Sequence, residues 1–464
     1  MTVVDEPGTI IASPGDPAYD AATRVFNLAG PLRPVAATTV RTVDQVRAAI
    51  RHASAAGLGV RVHSTGHGAP AGRAMDGALL IRTRMDGAVE IDAARRVARV
   101  PAGTEWAAVV TAAAAHGLAA PHGSAPTVGV VGYLLRGGLS FYGRKHGLAA
   151  NSVLAVELVT ADGETRRVDA ASDPELFWAL RGGGGGFGVV TAVEVSLFPA
   201  ARVVTGAAYW PAEHAPRLLS AWRRWALDAP WEAGTSLRVM NLPPLPEIPP
   251  ALSAGPVLCV DGVVLGTEAG SGGGTEAAER LAADLLGPLR AIAEPVLDTW
   301  ETTTTAAVLD AHMEPDEPIA IAGDHLLLRE IGDDGAARLL DLIADPAGSP
   351  LVTAGLRQLG GAYAAPAAPG GALDRLDAAY AYSGAGVVLD EPGLAAIRDR
   401  CARIREALAP WDTGRTAPTF VEDRDQPQGH LGPDQIRAAD RVRERVDPAG
   451  LFRGDVTPNA SALI

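Results

Sequence analysis

The chain is predicted to be an α+β protein of two domains, and three observations predict it. Its 464 residues exceed what one ordinary hydrophobic core supports. Short β-rich runs alternate with helical ones from Val35 to about Pro199, and strand-like runs mix with amphipathic helices over 201–410. Within the second region, a proline-rich loop, NLPPLPEIPP at 241–250, and a glycine-rich one, GTEAGSGGG at 266–274, mark a change of character and flank its strands.

In chain order, VAATTV predicts a strand, DQVRAAIRHASAAG a helix closing on Gly57, and GVRVH, ALLIR and RVARV three further strands. TEWAAVVTAAAAHG predicts a helix with Thr104 as N-cap, an apolar face of Trp106, Val109 and Val110, and Gly117 as C-cap. LAVELVT and VVTAVEVSLF are strands, with the helix-like ELFWALR between them. In the second region VVTGAAYW, PVLCVDGVVL, HLLLREI and AAYAYSGAGVVL are strands, while TEAAERLAADLLGPL and GLAAIRDRCARIREAL are amphipathic helices. That mixture suits an antiparallel sheet backed by helices on one face. The final segment, 411–464, contains a charged helix broken at Asp447-Pro448 and an extended tail.

Composition narrows the function. With 47% hydrophobic and 20% charged residues the chain is globular. A net charge of −14 argues against nucleic acid and anionic membrane, leaving a small molecule as the expected partner. Cys259 and Cys401 form neither a disulfide framework nor a metal pair, so reducing cytoplasm is the expected compartment. No secretion signal or apolar run of membrane-spanning length is seen. No metal site is expected, and a monomer or homodimer is.

Three glycine-rich segments carry the chemistry: RVHSTGHGAPAG at 61–72, PHGSAPTVGVVGYLLRGGLS at 121–140 and ELFWALRGGGGGFGVVT at 175–191. Glycines at such density let backbone N–H groups come close to a bulky, phosphate-bearing ligand. GGGGFG at 183–188 formally satisfies a dinucleotide fingerprint, but a helix precedes it, a strand follows it, and no acid near 208 waits for a ribose. Apolar elements at both ends equally disfavour a flexible linker.

Together the segments resemble the flavin domain of the vanillyl-alcohol-oxidase superfamily, of the PCMH type, and specifically its berberine-bridge-enzyme-like branch. The resemblance covers about 35–199 closely and 433–455 more weakly, through RERVDPAGLFR. It implies an FAD-binding domain over 1–200, a substrate domain over 201–410, and a segment 411–464 that returns to the FAD domain. In that family a loop like STGH at 64–67 carries the histidine bonded to the flavin, which makes His67 the expected anchor, while His63 is structural. The expected cofactor contacts of the first segment are Arg61, Ser64, Thr65, Gly66, His67 and Gly68. Those of the second are Pro121, Gly123, Ser124, Thr127, Val128, Gly129, Gly132, Arg136, Gly137, Gly138 and Tyr142, and those of the third Gly188 and Val190. Many members place a second, cysteine linkage where this chain has Ala125, so FAD is expected to be held through His67 alone. Arg136 stands where the family has glycine, and a guanidinium there must meet a carboxylate, a phosphate or an electron-rich flavin edge.

The resemblance implies hydride transfer from a small organic alcohol, amine or natural-product intermediate to FAD, with dioxygen as acceptor. Such enzymes often tailor secondary metabolites. In the family's C-terminal Tyr-x-Asn stretch, here APTFVEDRDQP, Phe420 replaces tyrosine and Glu422 replaces asparagine. Glu422 is therefore the first candidate base, since a desolvated carboxylate can be tuned toward neutrality. Tyr380 and Tyr382, which share one strand face, are the further catalytic candidates; Tyr363, Arg329 and Glu330 lie in other strand-like runs. A flavin-dependent dehydrogenase, a redox-neutral cyclase and a non-catalytic flavin-binding protein remain open beside the oxidase.

Overall fold

The computed structural model describes residues 3–5, 8–72, 75–266, 273–345 and 348–452. Most of the glycine-rich loop 266–274 and the extended tail beyond 452 lie outside the described residues.

Apolar β-branched runs at the N-terminal end build two small sheets. Ala36–Val40, Ala78–Thr83 and Gly59–His63 form a parallel sheet in that order. The helix Val43–Ala55 covers it through Val46, Ala49 and Ile50. This helix starts where the Thr42 hydroxyl accepts from Gln45 N while Gln45 Oε1 accepts from Arg41 N, and it ends just before Gly57 at φ +66°. The second sheet runs Thr165–Val168, Val153–Val159, Val189–Ser196, Val97–Pro101 and Glu90–Asp92, all antiparallel. Trp106–Ala114 and Pro174–Leu180 pack into its core with Val156, Leu158 and Val193. The first of these helices begins one residue later than expected. Glu105, in extended conformation and with no side-chain cap, takes the N-cap position, and the backbone N–H of Trp106 bonds to Val128 O.

The expected antiparallel sheet of the second region has eight strands. Its central path is Val203–Pro211, Val257–Leu265, Ala233–Met240, Thr353–Gln358, Tyr380–Val387 and Ile321–Leu328. Ala233–Met240 and Thr353–Gln358 have no counterpart among the expected strands. Every residue of the first is buried, the polar Thr235, Ser236 and Arg238 included, so its polar positions do not mark a solvent face. The helices Ala215–Asp228, Gly332–Ile343 and Glu391–Leu408 join one apolar core against the sheet's Leu237, Leu326, Leu356, Tyr380 and Tyr382.

After this sheet the chain goes back to the N-terminal layers. Ala439, Val442 and Val446 of the helix Pro433–Val446 enter the core of the five-stranded sheet. The Asp447 carboxylate then accepts from the N–H groups of Leu451 and Phe452, which brings Leu451 O to within 2.7 Å of Val60 N.

Candidate functional site

A cavity of about 350 Å³ lies where the parallel sheet, the five-stranded sheet and the helix-free face of the large sheet meet. All three glycine segments reach it. Ser64, Thr65, Gly66, His67 and Gly68 line it from the first; Gly123, Ser124, Ala125, Val128, Gly129, Gly132 and Arg136 from the second; Gly188 and Val190 from the third. Gly66 sits at φ +79° with Val25 pressed against it, so a side chain there meets both backbone strain and the Val25 Cα at 2.7 Å. At Gly68 a Cβ would collide with the Arg136 guanidinium. The backbone here is thus shaped by absent side chains.

His67 is fixed on two sides. Its ring stacks on Phe26, with centroids 3.8 Å apart, and Nε2 lies 3.0 Å from Thr127 Oγ1. Burial pushes its pKa down to about 4, against smaller upward pulls from Glu314 and Thr127, so the imidazole is neutral at physiological pH. Nδ1 has no hydrogen-bond partner among the described residues and keeps a lone pair available in one tautomer. His63, by contrast, spends Nε2 on Ala22 O at 2.7 Å.

Six expected cofactor contacts stand behind the wall, five of them for a packing reason. Arg61 alternates away from its cavity-lining neighbours Val60 and Val62 and is 3% exposed. Gly138 lacks the Cβ that would strike Tyr133 and Ala149, and Gly137 backs onto Leu373. Pro121 is buried, and Tyr142 packs edge-on to His122 and Phe198 at 5.4 and 5.1 Å with its hydroxyl buried and unpartnered. Thr127 acts one step removed, through His67.

Of the catalytic candidates only Glu422 reaches the cavity. Its backbone N–H donates to Gln426 Oε1 at 2.8 Å, which sets the loop. Burial first, and then the charge of Glu314, raise its pKa to about 7, with Arg136 opposing. Arg136 also lines the cavity, and its positive charge lowers the Glu422 pKa against that rise. Tyr380 and Tyr382 do share a strand face, but it is the helix-facing one, packed with Trp222 and Ile404; Ala381 takes the opposite side. Burial pushes both phenols up, and neither lines the cavity, so the expectation of a catalytic role for them is corrected. Tyr363 lies in a 3₁₀ turn, its hydroxyl donating to Ser140 O, and Glu330 pairs with Arg223 at 2.8 Å.

Phe26, Tyr133, Glu314 and Arg357 line the same cavity without having been singled out. Phe26 precedes all three segments, and Arg357 belongs to an unanticipated strand, stacked 4.3 Å over Phe141. Glu314 lies in a charged loop, MEPDEP, with no sequence mark of its place on the cavity wall.

The wall suits a flavin nucleotide on its own evidence. It has glycine-lined backbone on three segments, a neutral histidine with a nitrogen to spare, and a buried Tyr133 hydroxyl with no partner. Among the described residues no group of His, Cys, Asp and Glu could hold a metal, and no helix is long and apolar enough to cross a membrane.

Comparison with known proteins agrees. Residues 34–169 match the family model described as FAD binding domain. The chain is 36% identical over 189 residues to (R)-6-hydroxynicotine oxidase of Paenarthrobacter nicotinovorans, covering 41% of each chain. It is 32% identical over 202 residues to carbohydrate oxidase of Microdochium nivale, covering 43% of this chain and 41% of that one. The chain thus spans about two fifths of the length of these curated relatives. BBE-like 1 of Physcomitrella patens superposes with a TM-score of 0.80 over 97% of both chains at 20% identity, a likeness of fold. Residues 34–169 are therefore an FAD binding domain, and the chain as a whole has the fold of the berberine-bridge-enzyme-like flavoproteins.

Proposed function

We propose that the protein is an FAD-linked oxidase that takes a hydride from a small organic molecule, with FAD attached through His67 and dioxygen as acceptor. The observation that carries this is the meeting, in one cavity, of three glycine segments, a neutral stacked histidine and a carboxyl poised near neutrality. On this reading residues 1–200 and 411–464 hold the cofactor, and 201–410 supply the substrate side. Two of the relatives that match are themselves named as oxidases.

The chemistry FAD supplies when bound is acceptance of a hydride and delivery of the electron pair to dioxygen, which leaves as hydrogen peroxide. His67 holds the isoalloxazine end, oriented by Phe26 and Thr127. Ser64, Thr65, Gly66 and Gly68 with Gly123, Ser124, Val128, Gly129 and Gly132 present close backbone and hydroxyl donors, and Gly188 and Val190 close the third side. Arg136, whose guanidinium lies beside Gly68, would supply a positive charge to an electron-rich edge of the bound cofactor. Glu422, ionised, takes the proton from the substrate's O–H or N–H as the hydride leaves its carbon. A tailoring step of secondary metabolism in the cytoplasm, by a monomer or homodimer, fits this reading.

The test is anaerobic mixing of the yellow protein with a panel of small alcohols and amines. A substrate bleaches the flavin absorbance, and air restores it with one peroxide formed per flavin. A flavin that bleaches but returns only with an artificial acceptor would replace the oxidase by a dehydrogenase, and one that nothing bleaches would leave a binding protein.

A further inference from the structure

Behind Glu422's cavity lies a chain of polar groups that proton transfer to Glu422 does not require. It begins at Asp261 on the strand Val257–Leu265, which is fully buried. Its carboxylate accepts from Arg238 Nη2 at 2.5 Å and Nε at 3.1 Å, from the Ser236 hydroxyl, and from His312 Nδ1 at 3.0 Å. His312 Nε2 then lies 3.8 Å from Glu314 Oε1, and the same oxygen accepts from Ser124 Oγ at 2.7 Å. Glu314 and Ser124 both line the cavity. The set therefore joins the large sheet to the second glycine segment and ends on a carboxylate that lines the same cavity as Glu422.

The backbone confirms that this arrangement is enforced. Met313, between His312 and Glu314, sits at φ +50°, in the left-handed region that residues with a side chain seldom adopt. The turn sends His312 back to Asp261 and Glu314 forward to the cavity, and the Tyr209 hydroxyl reaches Met313 Sδ at 3.1 Å. Such strain persists where contacts on both sides over-determine it.

We propose that Glu314 is a positioning residue: a fixed carboxylate that shares the cavity with Glu422 and governs when that side chain carries a proton. This rests on Glu422 as the proton acceptor and adds what sets its readiness. Burial works to neutralise Glu314, but the charges of Arg238 and Arg357, the Ser124 hydroxyl and, when it is protonated, His312 outweigh it and hold the carboxyl below its ordinary value. Its charge is the first electrostatic influence after burial that raises Glu422. The other groups around Glu422 are accounted for. Arg136, at the end of the helix Val130–Leu135, opposes the rise; Arg357 comes from the sheet; His67 and His430 are buried and neutral; Asp423 on Glu422's own loop is paired with Arg398 at 2.9 Å. Glu314 is thus the negative charge that faces Glu422 from another element.

The test follows the protonated-carboxyl stretching band of the FAD-loaded protein in the infrared across pH, assigned to Glu422 by its loss in Glu422→Gln. In the unmodified protein this band is expected to disappear as pH rises, with a midpoint at about 7. Glu314→Gln is expected to move the midpoint down by about one unit or more, and Glu314→Asp, which keeps the charge, to restore most of it. Should Glu314→Gln not fold, Ser124→Ala loosens the same carboxylate and is expected to shift the midpoint in the same sense by less. A midpoint unchanged in Glu314→Gln, or in Ser124→Ala where that variant stands in, overturns the proposal. A band that shifts as described in a protein whose flavin no compound reduces leaves the tuning intact and defeats the oxidase reading instead.

Discussion

The imidazole of His67 lies flat on the ring of Phe26, centroids 3.8 Å apart and planes within 10°, while Nε2 is held 3.0 Å from the Thr127 hydroxyl. This fixes both the plane and the rotation of the ring, so the remaining nitrogen has one direction. Thr127→Ala removes the rotational restraint, worth about 1 kcal/mol, and flavin attachment should slow roughly fivefold. The check is the time course of acid-stable flavin after FAD is added to apoprotein. An unchanged rate would show that Phe26 alone orients the ring.

Glu422 must be ionised to accept a proton, and its raised pKa places that requirement in the neutral range. The rate of flavin reduction by any competent substrate should therefore climb with pH through about 7 and level off above it. Glu422→Gln should lower the rate about 10²–10⁴-fold and abolish the climb. Stopped-flow absorbance measures both; a Gln variant that keeps the pH limb would transfer the role to another group.

Two glycines of the cavity wall should respond in opposite ways. Gly66→Ala meets φ +79° and Val25 at 2.7 Å, so it should destabilise the protein by about 1–3 kcal/mol as well as lose flavin. Gly132→Ala lies in a helix with nothing within 4 Å of the new Cβ, so the apoprotein should melt as high or higher. Flavin retention should nonetheless fall, because that open space is the cavity. Melting curves and flavin-to-protein absorbance ratios separate the two; full flavin retention in Gly132→Ala would mean that FAD does not press on that turn.

Acid should unfold the protein through its histidines. His63, His122 and His325 are buried and pushed down to about 4, chiefly by burial. Their folded values lie below the unfolded value of about 6.5, so the unfolded chain binds more protons as pH falls. Their contribution to stability is complete above about 6.5 and is lost progressively between 6.5 and 4. Melting temperature should be flat above pH 7 and decline steadily through that window. A decline confined to below pH 4 would assign acid sensitivity to carboxylates such as Asp261.

Local rules carried the sequence reading where one residue type had one use. Gly57 bounds a helix because a position at φ > 0 has few other purposes, and STGH stood out because His67 sits among glycines. The failures have a common physical cause. Whether Tyr382 faces the helices or the cavity depends on which side of the large sheet the helices cover, and alternation along one strand fixes only that Tyr380 shares its side. Glu314 sits in a loop that reads as solvated charge; its place on the cavity wall, with Ser124 donating to it, depends on a contact 190 residues apart in sequence. Phe26 and Arg357 were hidden for the same reason.

The attachment of FAD through His67 is tested most directly by precipitating the purified protein with acid and locating the yellow colour. The account predicts colour in the pellet for the unmodified protein and in the supernatant for His67→Ala. Colour released to the supernatant by the unmodified protein would contradict the linkage, and a pellet that stays yellow in His67→Ala would place it on another residue.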